Sequence, residues 1–172
     1  MAGKDDVRHT ASAENVVRAL DDLVSVEKSV DRAVLQALGI GPNDAAVLRH
    51  LLDLESRGTT TTTPSSLSDL LGISSAATTA LIDRLAGAGW VERQPHPQDR
   101  RSVLISATVP PGSPARRLLA VRRVAISSAA AGLGAQERRI VVEFLDELHR
   151  AEQHHLAEAT AVTGPAESLP PR

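Results

Sequence analysis

The chain has 172 residues, with 19 Lys and Arg against 21 Asp and Glu, enough for one good core or two small ones and with no charge excess that would mark a basic tail. Apolar residues make up 42% but include one Trp, one Phe and no Tyr, so the core must be built from Ala, Val, Leu and Ile, which favours helices over an aromatic-rich β-sandwich. With no cysteine, a disulfide framework, a Cys-ligated zinc site, a catalytic thiol and a thiol-based oxidant sensor are excluded. Lys4, Asp5, Asp6 and Arg8 leave no signal-peptide h-region, and no stretch approaches the roughly 18 uncharged apolar residues of a spanning helix. A soluble, cytoplasmic protein without a membrane partner is expected.

In the first block Val16, Leu20, Leu23, Val30, Val34 and Leu38 recur at helical steps along one face, and Gly39 ends the run. After Pro42, the segment Asp44 to Glu55 carries Val47, Leu48, Leu51, Leu52 and Leu54 and reads as a second helix, closed by Arg57 and a Gly58 cap. Thr59 to Thr63 read as an exposed loop. Pro64 then restarts a helix at the position where its missing N–H costs nothing, with Thr63 as N-cap and Leu67, Leu70 and Leu71 as its buried side. Gly72 breaks it, Ser74 offers a second N-cap, and Ala77, Leu81 and Leu85 repeat at four-residue steps up to Gly87 and Gly89. Two short helices joined by a Gly-containing turn are either a plain helical hairpin or a helix-turn-helix.

The next segment separates the two. Trp90 to Gln94 and Ser102 to Ala107 are β-prone and bracket the polar run from Pro95 to Arg101, a hairpin with a long tip, in which Val103 and Ile105 face one side. A hairpin directly after a helix-turn-helix makes a winged helix. From Arg93 to Arg101 the tip carries net +2, yet Pro64 to Ala107 as a whole holds four arginines and four acids, so charge alone does not identify a nucleic-acid partner.

The runs Leu81-Ile82-Asp83-Arg84-Leu85, Gly89-Trp90-Val91-Glu92-Arg93 and Pro97-Gln98-Asp99-Arg100-Arg101 resemble the MarR family of bacterial transcription regulators. The resemblance covers about Pro42 to Gly112, including the Pro/Gly restart before the next helix. It implies a dimeric winged-helix repressor whose second short helix reads the major groove, whose wing arginine enters the minor groove, and whose long terminal helices interleave. It also implies that Asp83 pairs with Arg101 and orients the wing.

The residue chemistry supports these roles. At a helix N-terminus Ser74 and Ser75 can both cap and offer hydroxyls to a phosphate. Ala76, Thr78 and Thr79 fall off the Ala77, Leu81, Leu85 stripe and are small enough to let the backbone approach base edges, with threonine methyls available to thymine. Arg100 and Arg101 complete the expected DNA contacts, the guanidinium of Arg101 suiting a narrow minor groove. Asp99 is expected to shape the wing turn through its own backbone. Family members commonly carry a basic or larger polar residue where this chain has Ala80, so one contact is missing and affinity leans on Arg101.

Beyond the wing, Ser113 and Pro114 open a helix with Leu119, Ile126, Ala130 and Leu133 at helical steps, and a last helix from Ala135 to about Thr160 repeats Ile140, Phe144, Leu148, Ala151 and Ala159. Nothing else in the chain is large enough to cover these faces, so they require an intrachain bundle or, more simply, a second copy. The expected organisation is an N-terminal dimerisation helix over 1–40, the DNA-binding winged helix over 41–110, dimerisation helices over 111–161 and a disordered tail over 162–172, a mainly α chain with one small β-hairpin. Double-stranded DNA bearing an inverted repeat is the expected partner. The resemblance adds a small-molecule effector, here held in an aliphatic pocket lined from the first, second and fifth helices.

No G-x-x-x-x-G-K-[ST], G-x-G-x-x-G, G-x-S-x-G or H-E-x-x-H motif is present, and no enzymatic activity or cofactor is expected. His149, His154 and His155 share a helix with Glu152 and Glu158, but only His155 with either glutamate and His154 with Glu158 have ligand spacing, so no metal site is assigned. The alternatives are a metal-responsive regulator and a winged helix that binds protein rather than DNA.

Overall fold

The computed structural model describes residues 12–98 and 102–163. The elements run α1 (Ala13–Leu38), α2 (Pro42–Ser56), α3 (Pro64–Leu71), α4 (Ser75–Gly87), β1 (Val91–Pro95), β2 (Val103–Ala107), α5 (Pro114–Ala131) and α6 (Ala135–Thr163). This is the expected order of helices around one hairpin. The chain divides into two compact units, Met1–Arg122 and Arg123–Arg172, with the boundary inside α5. Among the described residues no helix is long and apolar enough to cross a membrane.

The first unit holds the core. Val47, Leu48 and Leu51 of α2, Leu67 of α3, Leu81, Ile82 and Leu85 of α4, Val91 of β1, Ile105 of β2 and Leu119 of α5 are buried together. These side chains are aliphatic, as the composition requires. From α1 only Val34 is buried, while Val16, Leu23 and Val26 stay exposed. Two ion pairs hold α1 against this unit, Arg49–Asp31 and Arg122–Glu27, each at 2.7 Å.

β1 and β2 pair antiparallel with Val91 opposite Ala107 and Pro95 opposite Val103. The threonine run is more than a loop. Thr62 donates to the Ile105 carbonyl at 3.0 Å and accepts from its N–H at 2.8 Å, so β2 lies between Thr62 and β1. β-branched threonine suits this extended edge position, and Thr61 to Thr63 are half-buried. Of the predicted inward pair, Ile105 is fully buried whereas Val103, nearer the tip, has no body beneath it and is exposed. Leu70 is also exposed, 48%, because α3 turns only Leu67 and Leu71 toward α2 and α4.

In the second unit Gly134 N–H donates to Glu137 Oε2 at 2.6 Å and Arg138 donates to the Leu133 carbonyl at 2.7 Å, fixing the turn into α6. No residue from Arg123 to Ala161 is buried. Ile126, Ile140, Val142 and Leu156 are each more than half exposed, and Phe144 is 40% exposed. The expected tail from Gly164 onward lies outside the described residues.

Candidate nucleic-acid interface

The helix-turn-helix is held by its caps. Thr63 Oγ1 accepts from the Ser66 N–H at 3.2 Å and starts α3. At its end Gly72 adopts φ 62°, a left-handed turn that only glycine takes at no steric cost, and the Ile73 N–H returns to the Ser68 carbonyl at 3.3 Å. Ser68 Oγ donates to the Ile73 carbonyl at 2.6 Å, closing the turn from its other strand. Ser74 then caps α4, its hydroxyl accepting from the Ala77 N–H at 3.3 Å as expected of an N-cap.

The buried stripe of α4 is Thr78, Leu81, Ile82 and Leu85, so Leu81 and Leu85 are buried as expected while Thr78 rather than Ala77 carries the stripe toward the N-terminus. Thr78 therefore leaves the group of surface residues. It is fully buried, and its hydroxyl donates to the Ser74 carbonyl at 3.0 Å, satisfying within the helix the polar atom that the core would otherwise strand. Ala77 takes its place on the surface. Ser75, Ala76 and Thr79 are exposed as expected, and Thr79 Oγ1 donates to the Ser75 carbonyl at 2.9 Å.

Ion pairs hold both charged side chains of α4. Arg84 reaches Asp44 at 2.7 Å. Asp44, nearly fully buried, also accepts from the Gly41 N–H at 2.9 Å, so one carboxylate caps α2 and anchors α4. Neither residue was marked as important by periodicity, although Gly41-Pro42-Asn43-Asp44 places an acid three residues after the cap, which is the capping-box spacing. Asp83 pairs with Arg93 of β1 at 2.7 Å and so joins α4 to the hairpin. The pair expected of Asp83 with Arg101 falls on a residue outside the described ones. Asp99, Arg100 and Arg101 lie outside the described residues.

The base of the hairpin is tied further. Thr108 Oγ1 donates to the Gly89 carbonyl at 2.6 Å, and Ser106 and Gln94 both donate to Glu92 Oε1, at 3.1 and 2.6 Å. Behind the sheet a cleft of about 270 Å³ is lined by Glu92, Gln94, Ser106, Glu55 and Arg116 among others, with Arg116 bound to Glu55 at 2.8 Å and to the Val109 carbonyl at 3.0 Å. Its walls mix these polar side chains with Leu51, Val109 and Pro110, and α1 contributes none of them, unlike the aliphatic pocket expected between the first, second and fifth helices. On α6, Glu158 accepts the approach of both His154, 3.3 Å, and His155, 3.2 Å, while His149 contacts Gln153 at 3.0 Å. Among the described residues no group of three or more His, Cys, Asp or Glu is arranged to hold a metal ion.

A sequence profile of the MarR family matches residues 46–103. The multiple antibiotic resistance protein MarR of Escherichia coli (strain K12) is 46% identical over 46 residues, 27% of this chain and 32% of that protein. YcgE of Bacillus subtilis (strain 168), described as an uncharacterized HTH-type transcriptional regulator, is 40% identical over 74 residues, 43% of this chain and 45% of that protein. The matched segments thus span a third to a half of the length of these curated relatives. The crystal structure of transcriptional regulator Tm0710 from Thermotoga maritima aligns with 84% of this chain and 98% of its own at 26% identity, with a TM-score of 0.52. The profile match runs from α2 to the start of β2, the stretch that builds the helix-turn-helix and its hairpin, and over this stretch the chain is similar to the MarR family.

Proposed function

We propose that the protein is a sequence-specific, double-stranded DNA-binding transcriptional regulator of the cytoplasm, acting as a homodimeric repressor on an inverted-repeat operator. The observation that carries this reading is the exposed N-terminal half of α4, capped by Ser74 and lined by Ser75, Ala76 and Thr79, beside a hairpin that Asp83 and Arg93 tie to the same helix. Such a surface offers unpaired N–H groups to a phosphate and small side chains to a base edge. YcgE and Tm0710 are named as transcriptional regulators, which agrees with it. Regulation rather than catalysis is the activity proposed.

The homodimer is supported by the second unit, where no residue from Arg123 to Ala161 is buried although α6 alone runs 29 residues. Helices with this much uncovered apolar surface are not stable in water, and a second copy supplies the cover. Release by a small-molecule effector is supported by the cleft behind the sheet, whose occupant would bear directly on the hairpin.

The test is titration of the protein against fragments of its own promoter and scrambled duplexes, with footprinting of the bound fragment. Protection of a dyad whose half-sites lie about 10 bp apart is expected. Equal, weak binding to every duplex would overturn the reading and favour a protein-interaction module instead.

A further inference from the structure

Resting on the reading of α4 as the recognition helix, we infer that α4 selects thymine through the C5-methyl group and makes no bidentate contact with guanine. The surface it presents before its last turn is Ser75, Ala76, Ala77, Thr79 and Ala80, every one of them short. The commonest specific contact in the major groove is a bidentate Arg or Lys on guanine O6 and N7, and adenine is read by Asn or Gln. This helix has no Lys, Asn or Gln, and its one arginine, Arg84, is at 2.7 Å from a nearly buried Asp44 that also caps α2. Taking Arg84 to a base would leave that nearly buried carboxylate without its charge partner, held by the Gly41 N–H alone. Asp83, the other charged side chain, is held by Arg93 and so does not turn to a cytosine amino group.

What remains are methyl groups and two hydroxyls. Thr79 already donates its hydroxyl proton to the Ser75 carbonyl, leaving the group an acceptor and leaving the γ-methyl as its apolar offer. Ala76 and Ala80 stand three positions before and one after Thr79, so three methyl-bearing side chains cluster on the exposed side of the helix. The one base feature in the major groove that matches methyl groups is the thymine C5-methyl. Short side chains also bring the helix backbone closer to the groove floor than an arginine would. Each methyl–methyl contact removed should cost about fourfold in affinity, from about 0.8 kcal/mol per buried carbon.

The experiment uses the full-length protein and a duplex enriched from a randomised pool by that protein. Affinity is measured for the enriched duplex, for copies with single thymines replaced by deoxyuridine, which removes only the methyl, and for copies with guanines replaced by 7-deazaguanine, which removes the N7 acceptor. Thr79→Ser and Thr79→Val separate the methyl from the hydroxyl. Deoxyuridine at half-site positions is expected to weaken wild-type binding about fourfold per thymine, Thr79→Ser is expected to lose that sensitivity at one thymine of each half-site and Thr79→Val to keep it at all of them, and 7-deazaguanine is expected to change nothing. Indifference to deoxyuridine, or weakening by 7-deazaguanine at the half-sites, would overturn the inference while leaving DNA binding intact. If no duplex is enriched, the DNA-binding reading falls and takes this inference with it.

Discussion

Thr78→Ala and Thr79→Ala remove the same atoms from adjacent positions and are expected to damage different properties. Thr78 is wholly buried, so its loss leaves a small void and is expected to cost about 1 kcal/mol, seen as a fall in Tm of about 2–4 °C, with the pattern of DNA preference unchanged. Thr79 is exposed, so its loss is expected to leave Tm in place and to reduce operator discrimination by about 0.8 kcal/mol per half-site. Asp44→Ala removes the acceptor of the Gly41 N–H and is expected to cost about 1–2 kcal/mol in urea denaturation. Arg84 is 59% exposed, so the lost ion pair adds little to that figure. Asp44→Asn, which keeps an acceptor oxygen at the same place, should recover most of the loss.

At the scale of elements the question is how the hairpin is aimed. From Pro64 to Ala107 the arginines are Arg84, Arg93, Arg100 and Arg101, and the first two are held by Asp44 and Asp83. Counterion release from this segment therefore falls to Arg100 and Arg101. For a dimer that neutralises four phosphates in this way the slope of log K against log salt is expected near about −3.6, and Arg101→Ala is expected to reduce its magnitude to about −1.8. Asp83→Ala is the companion experiment. Both members of its pair with Arg93 are partly exposed, so stability should change by less than about 1 kcal/mol, while affinity falls because the hairpin is no longer held to α4. Retention of wild-type affinity and slope by Arg101→Ala would show that the tip does not touch DNA.

For the whole molecule the decisive property is what covers the terminal helices. Sedimentation is expected to give a dimer at micromolar concentration, with a Tm that rises with protein concentration. Phe144→Glu, placing a charge in the apolar series Ile140, Phe144, Leu148, Ala151, is expected to dissociate it and to weaken operator binding by far more than it weakens the binding of one half-site. Removal of residues from Ala135 onward should leave a chain that aggregates, because the exposed valines and leucines of α1 lose their cover as well. A truncated chain that stays folded and monomeric would contradict the dimer.

Local chemistry made much of the winged helix readable in the sequence. Gly39 and Gly72 end helices because each needs a left-handed conformation, Thr63 and Ser74 start them because a hydroxyl satisfies an orphan N–H, and Pro64 and Pro114 mark first turns. Each of these signals acts within about four residues, so no tertiary information is needed. Phase and partnership lie beyond that range. Thr78 and Ala77 are both small and both fit a four-residue repeat, and only the packing of α2, α3 and β2 against α4 decides which of them is buried. The pairs Asp44–Arg84, Asp83–Arg93 and Arg116–Glu55 join residues up to 61 positions apart, and the bridge from Thr62 to Ile105 turns a polar run into part of a sheet. A sequence repeat specifies the spacing of a helix's apolar face but not its rotation about the axis or its charge partners, because those depend on which neighbouring surfaces arrive to compete for them.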